Sequence, residues 1–263
     1  MSHLGELFAR TRAEGRAALI AYLPAGFPTV DGAVDALQAM TKAGVDAVEV
    51  GLAYSDPLMD GPTIQRAVET ALANGVTTPD VIATAGAVAA TGTPSLVMSY
   101  YNPIERYGLE RFANELAAAG GSGVITPDLT PEEAEPWLGA ATAAGLDPVF
   151  LVAPSSTDER LRIVTGVTGG FVYAASTMGV TGARASVGER AEALVDRVRK
   201  VTDLPVCVGL GVSTAEQAAD VARFADGVIV GSAFVDRILN QRHWLESVSE
   251  LAADLAAGVR GAS

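Results

Sequence analysis

Glu49 is the residue whose type and placement speak most directly of chemistry. In Val45-Asp46-Ala47-Val48-Glu49-Val50-Gly51 the side chains alternate as on a β-strand, so Glu49 shares a face with Ala47 and Gly51. Val48 and Val50 fall on the opposite face. A carboxylate near the end of an apolar strand is costly unless it is hydrogen-bonded, paired or used. No arginine lies between Arg16 and Arg66 to pair with it locally. Burial raises a carboxyl pKa, which suits a group that both gives and takes a proton. The alternative is a structural carboxylate satisfied by a distant arginine or by water.

The segment that follows, Tyr54-Ser55-Asp56-Pro57-Leu58-Met59-Asp60-Gly61-Pro62, is stiffened by two prolines. It can carry Asp60 across from Glu49. Equally, Asp56 and Asp60 can form Asx-turns or cap a helix starting near Thr63.

Glycines mark a second kind of chemistry. Val208-Gly209-Leu210-Gly211-Val212-Ser213-Thr214-Ala215-Glu216 pairs Ser213 with Glu216 at capping-box spacing, predicting a helix just beyond Gly211. Val230-Gly231-Ser232-Ala233 repeats the pattern of strand, glycine and helix start. A third glycine-bearing loop is Met178-Gly179-Val180-Thr181-Gly182. Amides at helix N-termini bind phosphate without lysine, although glycines also serve simply to make tight turns. Tyr173, on a face with Phe171 and Ala175, is either core packing or a phenol aimed at substrate. Cys207, in mid-strand, reads as a small buried hydrophobe.

The elements that must position these residues form a repeating series. Strands are predicted at Ala18–Leu23, Ala47–Gly51, Leu96–Tyr100, Gly123–Thr126, Val149–Ala153, Phe171–Ala175, Val206–Gly209 and Val228–Gly231. Helices are predicted at Asp31–Ala43, Leu109–Ala119, Pro131–Ala143, Arg190–Lys200 and Ala215–Phe224, with room for an additional one between the second and third strands. The pattern predicts a (β/α)8 TIM barrel with an N-terminal extra helix, filling 1–263 as one domain. A doubly wound sheet fits less well, because no Gly-x-Gly-x-x-Gly turn follows the first strand. In a barrel the chemistry gathers at the carboxyl ends of the strands, and phosphate at the loops after the seventh and eighth.

Composition removes whole classes of function. With 31 acidic and 18 basic residues the net charge is −13, which argues against nucleic acid or anionic membrane as partner. One cysteine and two histidines, His3 and His243, offer no disulfide and no metal cluster. The first residues carry no basic-then-apolar leader and no apolar run approaches a membrane span, so the cytoplasm is the expected location.

Val48-Glu49-Val50-Gly51, Ser55 through Gln65, Tyr100-Tyr101-Asn102-Pro103-Ile104, Pro127-Asp128-Leu129, Gly179-Val180-Thr181-Gly182 and Gly231-Ser232-Ala233 together resemble the tryptophan synthase α-chain family, in order. The resemblance runs from about Leu19 to the C-terminal helix. It implies a lyase that cleaves indole-3-glycerol phosphate by retro-aldol chemistry to indole and glyceraldehyde 3-phosphate. It implies Glu49 as general acid–base, Asp60 as a second, ionised carboxylate and Tyr173 beside Glu49. It further implies Gly182, Gly211, Gly231 and Ser232 at the substrate phosphate, and Tyr22, Tyr100 and Leu129 around the indole. Asp56, Pro57 and Asn102 would lie in loops facing a β-chain partner, in an αββα complex whose pyridoxal phosphate belongs to the β chain. No cofactor and no metal are implied for this chain. The sequence departs from the family at Ala53-Tyr54, where Pro-Phe is usual, at Pro24 and Phe27, and at Thr130.

A class I aldolase needs a Schiff-base lysine at a strand end. Lys42 and Lys200 both lie in helices. A histidine-using isomerase is equally disfavoured by the positions of His3 and His243. A stand-alone lyase releasing free indole, and a non-catalytic barrel that activates a partner, are the two alternatives that retain the fold.

Overall fold

The computed structural model describes residues 2–175, 184–209 and 211–262, with side chains for all of these except 184–187. Its strands are β1 (Ala18–Pro24), β2 (Ala47–Gly51), β3 (Ser95–Met98), β4 (Gly123–Ile125), a divided β5 (Asp147–Val149 and Leu151–Val152), β6 (Val172–Ala175), β7 (Val206–Gly209) and β8 (Gly227–Val230). Every pairing is parallel, and β1 lies between β2 and β8. The first piece of β5 pairs with β4 and the second with β6, so the ring closes through Phe150. The result is the predicted (β/α)8 barrel.

The fifth strand differs from its expected bounds, Val149–Ala153. It starts at Asp147, opposite Gly123, where a Cβ would stand 2.4 Å from the Asp147 carbonyl oxygen. Side-chain alternation nevertheless runs unbroken through the division. Val149 and Leu151 pack with the barrel lumen, and Phe150 and Val152 with the outer layer. Two helices, Pro62–Ala73 and Thr78–Ala89, occupy the long interval between β2 and β3. The helix after β4 begins at Glu135 instead of Pro131. Pro131 and Thr130 carbonyls accept from Ala134 and Glu133 amides, three residues on, which makes turns and not an α-helical turn. The helix after β6 is Arg184–Arg199, beginning earlier than the expected Arg190.

The apolar residues form two layers. One lies between barrel and helices and includes Val48, Val50 and Val97. The other fills the lumen from below with Ile20, Ala47, Leu96 and Phe171. The N-terminal helix His3–Ala13, capped by Ser2 accepting from the Gly5 amide, plugs that end with Leu4, Leu7 and Phe8. Phe8 meets Phe171 edge to face at 5.8 Å. Each such buried side chain contributes roughly 1.5–3 kcal/mol. Apolar side chains thus fill the lumen below Glu49, with the Asp147 carboxyl buried at its base.

One ion pair sets the register that matters above. Arg16 donates to both oxygens of Asp46, at 2.8 and 2.9 Å, and the Asp46 carboxylate also accepts from the Leu19 amide at 2.9 Å. The pair ties the start of β1 to the start of β2. Counting up from it, Tyr22 comes level with Glu49.

Candidate active site

Glu49 points into the upper lumen and is fully buried. Neither carboxyl oxygen has a hydrogen-bond partner among the described residues. Arg16, the guanidinium nearest before it in sequence, is committed to Asp46, and among the described residues no cation pairs with Glu49. Desolvation lifts the Glu49 carboxyl to about 8, so it holds its proton at neutral pH.

Two tyrosines enclose it. Burial raises both the Tyr22 and the Tyr173 hydroxyls well above their ordinary range. The Asp60 and Glu49 charges raise Tyr22 further, and Glu49 and Tyr22 do the same at Tyr173. All four side chains therefore share one poorly solvated space. Each ring has a glycine as its seat. A Cβ on Gly51 would lie 2.5 Å from the Tyr22 hydroxyl oxygen, and one on Gly209 would lie 2.7 Å from that of Tyr173. These two glycines were not evident as site residues. Neither strand alone marks them, because the ring that fills each seat comes from the neighbouring strand.

Asp60 does not cap the following helix. That helix, Pro62–Ala73, has Gly61 at its N-cap and no side-chain cap. Instead the Tyr100 hydroxyl donates to Asp60 Oδ1 at 3.2 Å and accepts from the Leu58 and Met59 amides at 3.1 and 2.9 Å. Gln65 donates to the Asp60 carbonyl at 2.7 Å. Burial raises the Asp60 carboxyl as well, opposed by the Tyr100 hydrogen bond. Burial thus raises both carboxyls, and of the two only Asp60 has a hydroxyl donor that opposes the rise. Asp56 accepts from Ser55 Oγ at 2.6 Å, a side-chain contact that is neither an Asx-turn nor a helix cap.

The remaining expected positions are distributed around the mouth. Asn102, exposed, donates to the Tyr54 hydroxyl at 3.0 Å, and Pro57 is half-buried in the Asp60 loop. Leu129, just beyond β4, is buried. Gly211 has φ +71°, a conformation glycine alone adopts readily. The helix beyond it is Ala215–Ala222, capped one residue later than predicted. Thr214 accepts from the Gln217 amide, while Gln217 Oε1 accepts from the Ser213 amide and hydroxyl. Ser213 and Glu216 thus do not form the box. Gly231 caps the helix Ser232–Asn240 without a side chain, and a Cβ there would lie 3.0 Å from the Tyr22 ring. The start of that helix therefore adjoins the tyrosine–carboxylate group. Gly182 lies outside the described residues. Among the described residues no cluster of histidine, cysteine and carboxylate side chains has the form of a metal site.

The family model for the tryptophan synthase alpha chain matches residues 8–260. The chain is 60% identical to the tryptophan synthase alpha chain of Streptomyces coelicolor, covering 98% of this chain and 97% of that one. It is 56% identical to that of Thermobifida fusca over the whole of both chains. A crystal structure of tryptophan synthase from M. tuberculosis in an aminoacrylate-bound form superposes with a TM-score of 0.91 at 50% identity, over 98% of this chain and 100% of that chain. Barrel, carboxylate placement and full-length similarity converge: the chain belongs to the tryptophan synthase alpha chain family.

Proposed function

We propose that Glu49 is the proton-transferring group of the family's lyase reaction and Asp60 its electrostatic partner. The reaction cleaves indole-3-glycerol phosphate to indole and glyceraldehyde 3-phosphate. The observation that carries the assignment is the Glu49 carboxyl itself, fully buried, without a hydrogen-bond partner among the described residues and raised to about 8.

In the proposed sequence the protonated Glu49 gives its proton to indole C3, turning the ring into an electron sink. Asp60, as carboxylate, stabilises the positive charge that develops toward the ring N–H. Glu49, now a base, removes the proton from the glycerol-side hydroxyl next to C3. The carbonyl of glyceraldehyde 3-phosphate forms, the carbon–carbon bond breaks, and its electron pair restores the indole. One proton has moved from oxygen to carbon, and Glu49 ends protonated as it began. The chemistry calls for no metal or cofactor held by this chain.

Tyr173 packs beside Glu49 and excludes water from it. Tyr22, Tyr100 and Leu129 line the indole side. Gly211, Gly231, Ser232 and Gly182 take the phosphate through backbone amides, which accounts for a phosphate ester bound by a chain of net charge −13. Asp56, Pro57 and Asn102 face a β chain that holds the pyridoxal phosphate, in an αββα complex in the cytoplasm.

Indole release from indole-3-glycerol phosphate, measured with and without a tryptophan synthase β chain, tests this reading. Glu49→Gln should abolish release yet still bind a phosphate-bearing indole analogue. A variant that continues to turn over would remove Glu49 from its role.

A further inference from the structure

Asp60 sits in a loop with little packing of its own. The preceding side chains, Leu58 and Met59, are 80% and 51% exposed. What holds the carboxylate is the Tyr100 hydroxyl, through three hydrogen bonds to residues 58–60. The position of that hydroxyl depends in turn on the Tyr100 ring.

The Tyr54 ring packs against the Tyr100 ring, centroids 5.5 Å apart and inclined at 39°. Its hydroxyl accepts from Asn102 Nδ2 at 3.0 Å. Asn102 lies in the first turn of the helix Tyr101–Tyr107, whose start is fixed from the loop after β4 by Asp128 accepting from the Tyr101 amide. Tyr54 and Asp60 are the two ends of one short segment. Tyr100 grips that segment at both, by ring contact at Tyr54 and by hydrogen bonds at 58–60. Tyr54 also stands where the family usually carries a phenylalanine, so the bond to Asn102 adds to the ring contact a tether that phenylalanine cannot make.

We infer that Tyr54 is a positioning residue for the lyase reaction, clamped between Tyr100 and Asn102 so that the Tyr100 hydroxyl stays on Asp60. The inference rests on Asp60 acting in catalysis, as read above. The ring contact of Tyr54 is to Tyr100 and its hydrogen bond is to Asn102. It acts through Tyr100, by keeping the second carboxylate in place and ionised.

The test compares kcat, KM and the pH profile of indole release in Tyr54→Phe, Tyr54→Ala and Asn102→Ala, with melting temperatures to confirm folding. Tyr54→Phe should lower kcat about threefold to tenfold with KM little changed, and Tyr54→Ala should lower it further. Asn102→Ala should match Tyr54→Phe, and the Tyr54→Phe/Asn102→Ala double variant should be no worse than either single one. The acid limb of the profile, set by Asp60, should move to higher pH because the Tyr100 hydrogen bond that lowers this carboxyl is weakened. A merely structural loss would leave that limb in place. In an Asp60→Asn background, Tyr54→Phe should change nothing further. Wild-type kcat and an unmoved acid limb in Tyr54→Phe, with Asp60→Asn strongly impaired, would overturn the proposal alone. Full activity in Asp60→Asn would overturn the reading of Asp60 beneath it.

Discussion

Tyr22 and Glu49 lie side by side in register on β1 and β2, and the Tyr22 hydroxyl reaches past Glu49 to rest over Gly51. The upper lumen is therefore built from a carboxyl and a phenol that share one wall, with a missing side chain making room for the second. Tyr173 repeats the arrangement over Gly209 on the other side.

Replacing Gly51 tests this directly. In Gly51→Ala the new Cβ meets the Tyr22 oxygen at 2.5 Å and two ring carbons at 2.8 and 2.9 Å, all inside contact distance. Tyr22 is a whole ring and cannot yield by a small torsion, so the substitution should destabilise the fold by about 1–3 kcal/mol. It should also cost most of the lyase activity. Tyr22→Ala removes the three nearest atoms, so in that background Gly51→Ala should cost little further stability. Denaturant midpoints of both singles and the double would show it. Simple additivity would mean that the two residues do not compete for the same space.

The Glu49 carboxyl predicts an unusual pH dependence. Its value is about 8 in the folded chain against an ordinary 4.5. Between those limits the folded state keeps a proton that the unfolded chain has released. Stability must therefore fall as pH rises from about 4.5 to 8 and level off above, by at most about 5 kcal/mol from this group. Glu49→Gln removes that dependence. The variant should match the wild type near pH 4.5 and exceed its stability increasingly toward pH 8, as urea unfolding at several pH values would reveal. A difference independent of pH would contradict a raised carboxyl. The same group should make wild-type turnover decline above about pH 8, where the proton donor is lost.

Some of this was legible in the sequence for clear reasons. Period-two alternation is local, so Glu49 could be assigned to the lumen face from seven residues of β2. The βα rhythm likewise fixed the barrel. The seats at Gly51 and Gly209 were not legible, because they depend on which residue lies on the neighbouring strand. The tether from Asn102 to Tyr54 joins loops after different strands and leaves no mark in either segment alone. Near Gly211 two boxes of equal spacing overlap, Ser213 with Glu216 and Thr214 with Gln217. Spacing could not choose between them, and the chain makes half of the second: Thr214 accepts from the Gln217 amide, while the Gln217 side chain turns back to Ser213. Asp147 and Pro148 carry no strand signal, and only pairing with β4 places them in the sheet.

The loop that carries Asp60 also predicts how the β chain is engaged. Leu58 is the most exposed large hydrophobic residue described, at 80%, beside Met59 at 51% and between the half-buried Pro57 and the tethered Asp60. Its backbone amide is held by Tyr100, so the side chain is presented on a fixed base at little further cost in entropy. Burying a leucine against a partner is worth roughly 1.5–3 kcal/mol. Leu58→Ser keeps the backbone contact and removes the apolar surface. The isolated variant should release indole at the wild-type rate. The concentration of β chain needed for half-maximal activation should rise about tenfold or more. Titrating indole release with β chain measures both quantities together. An unchanged half-saturation would place the partner elsewhere, and a loss of the isolated rate would show instead that Leu58 supports Asp60 from within.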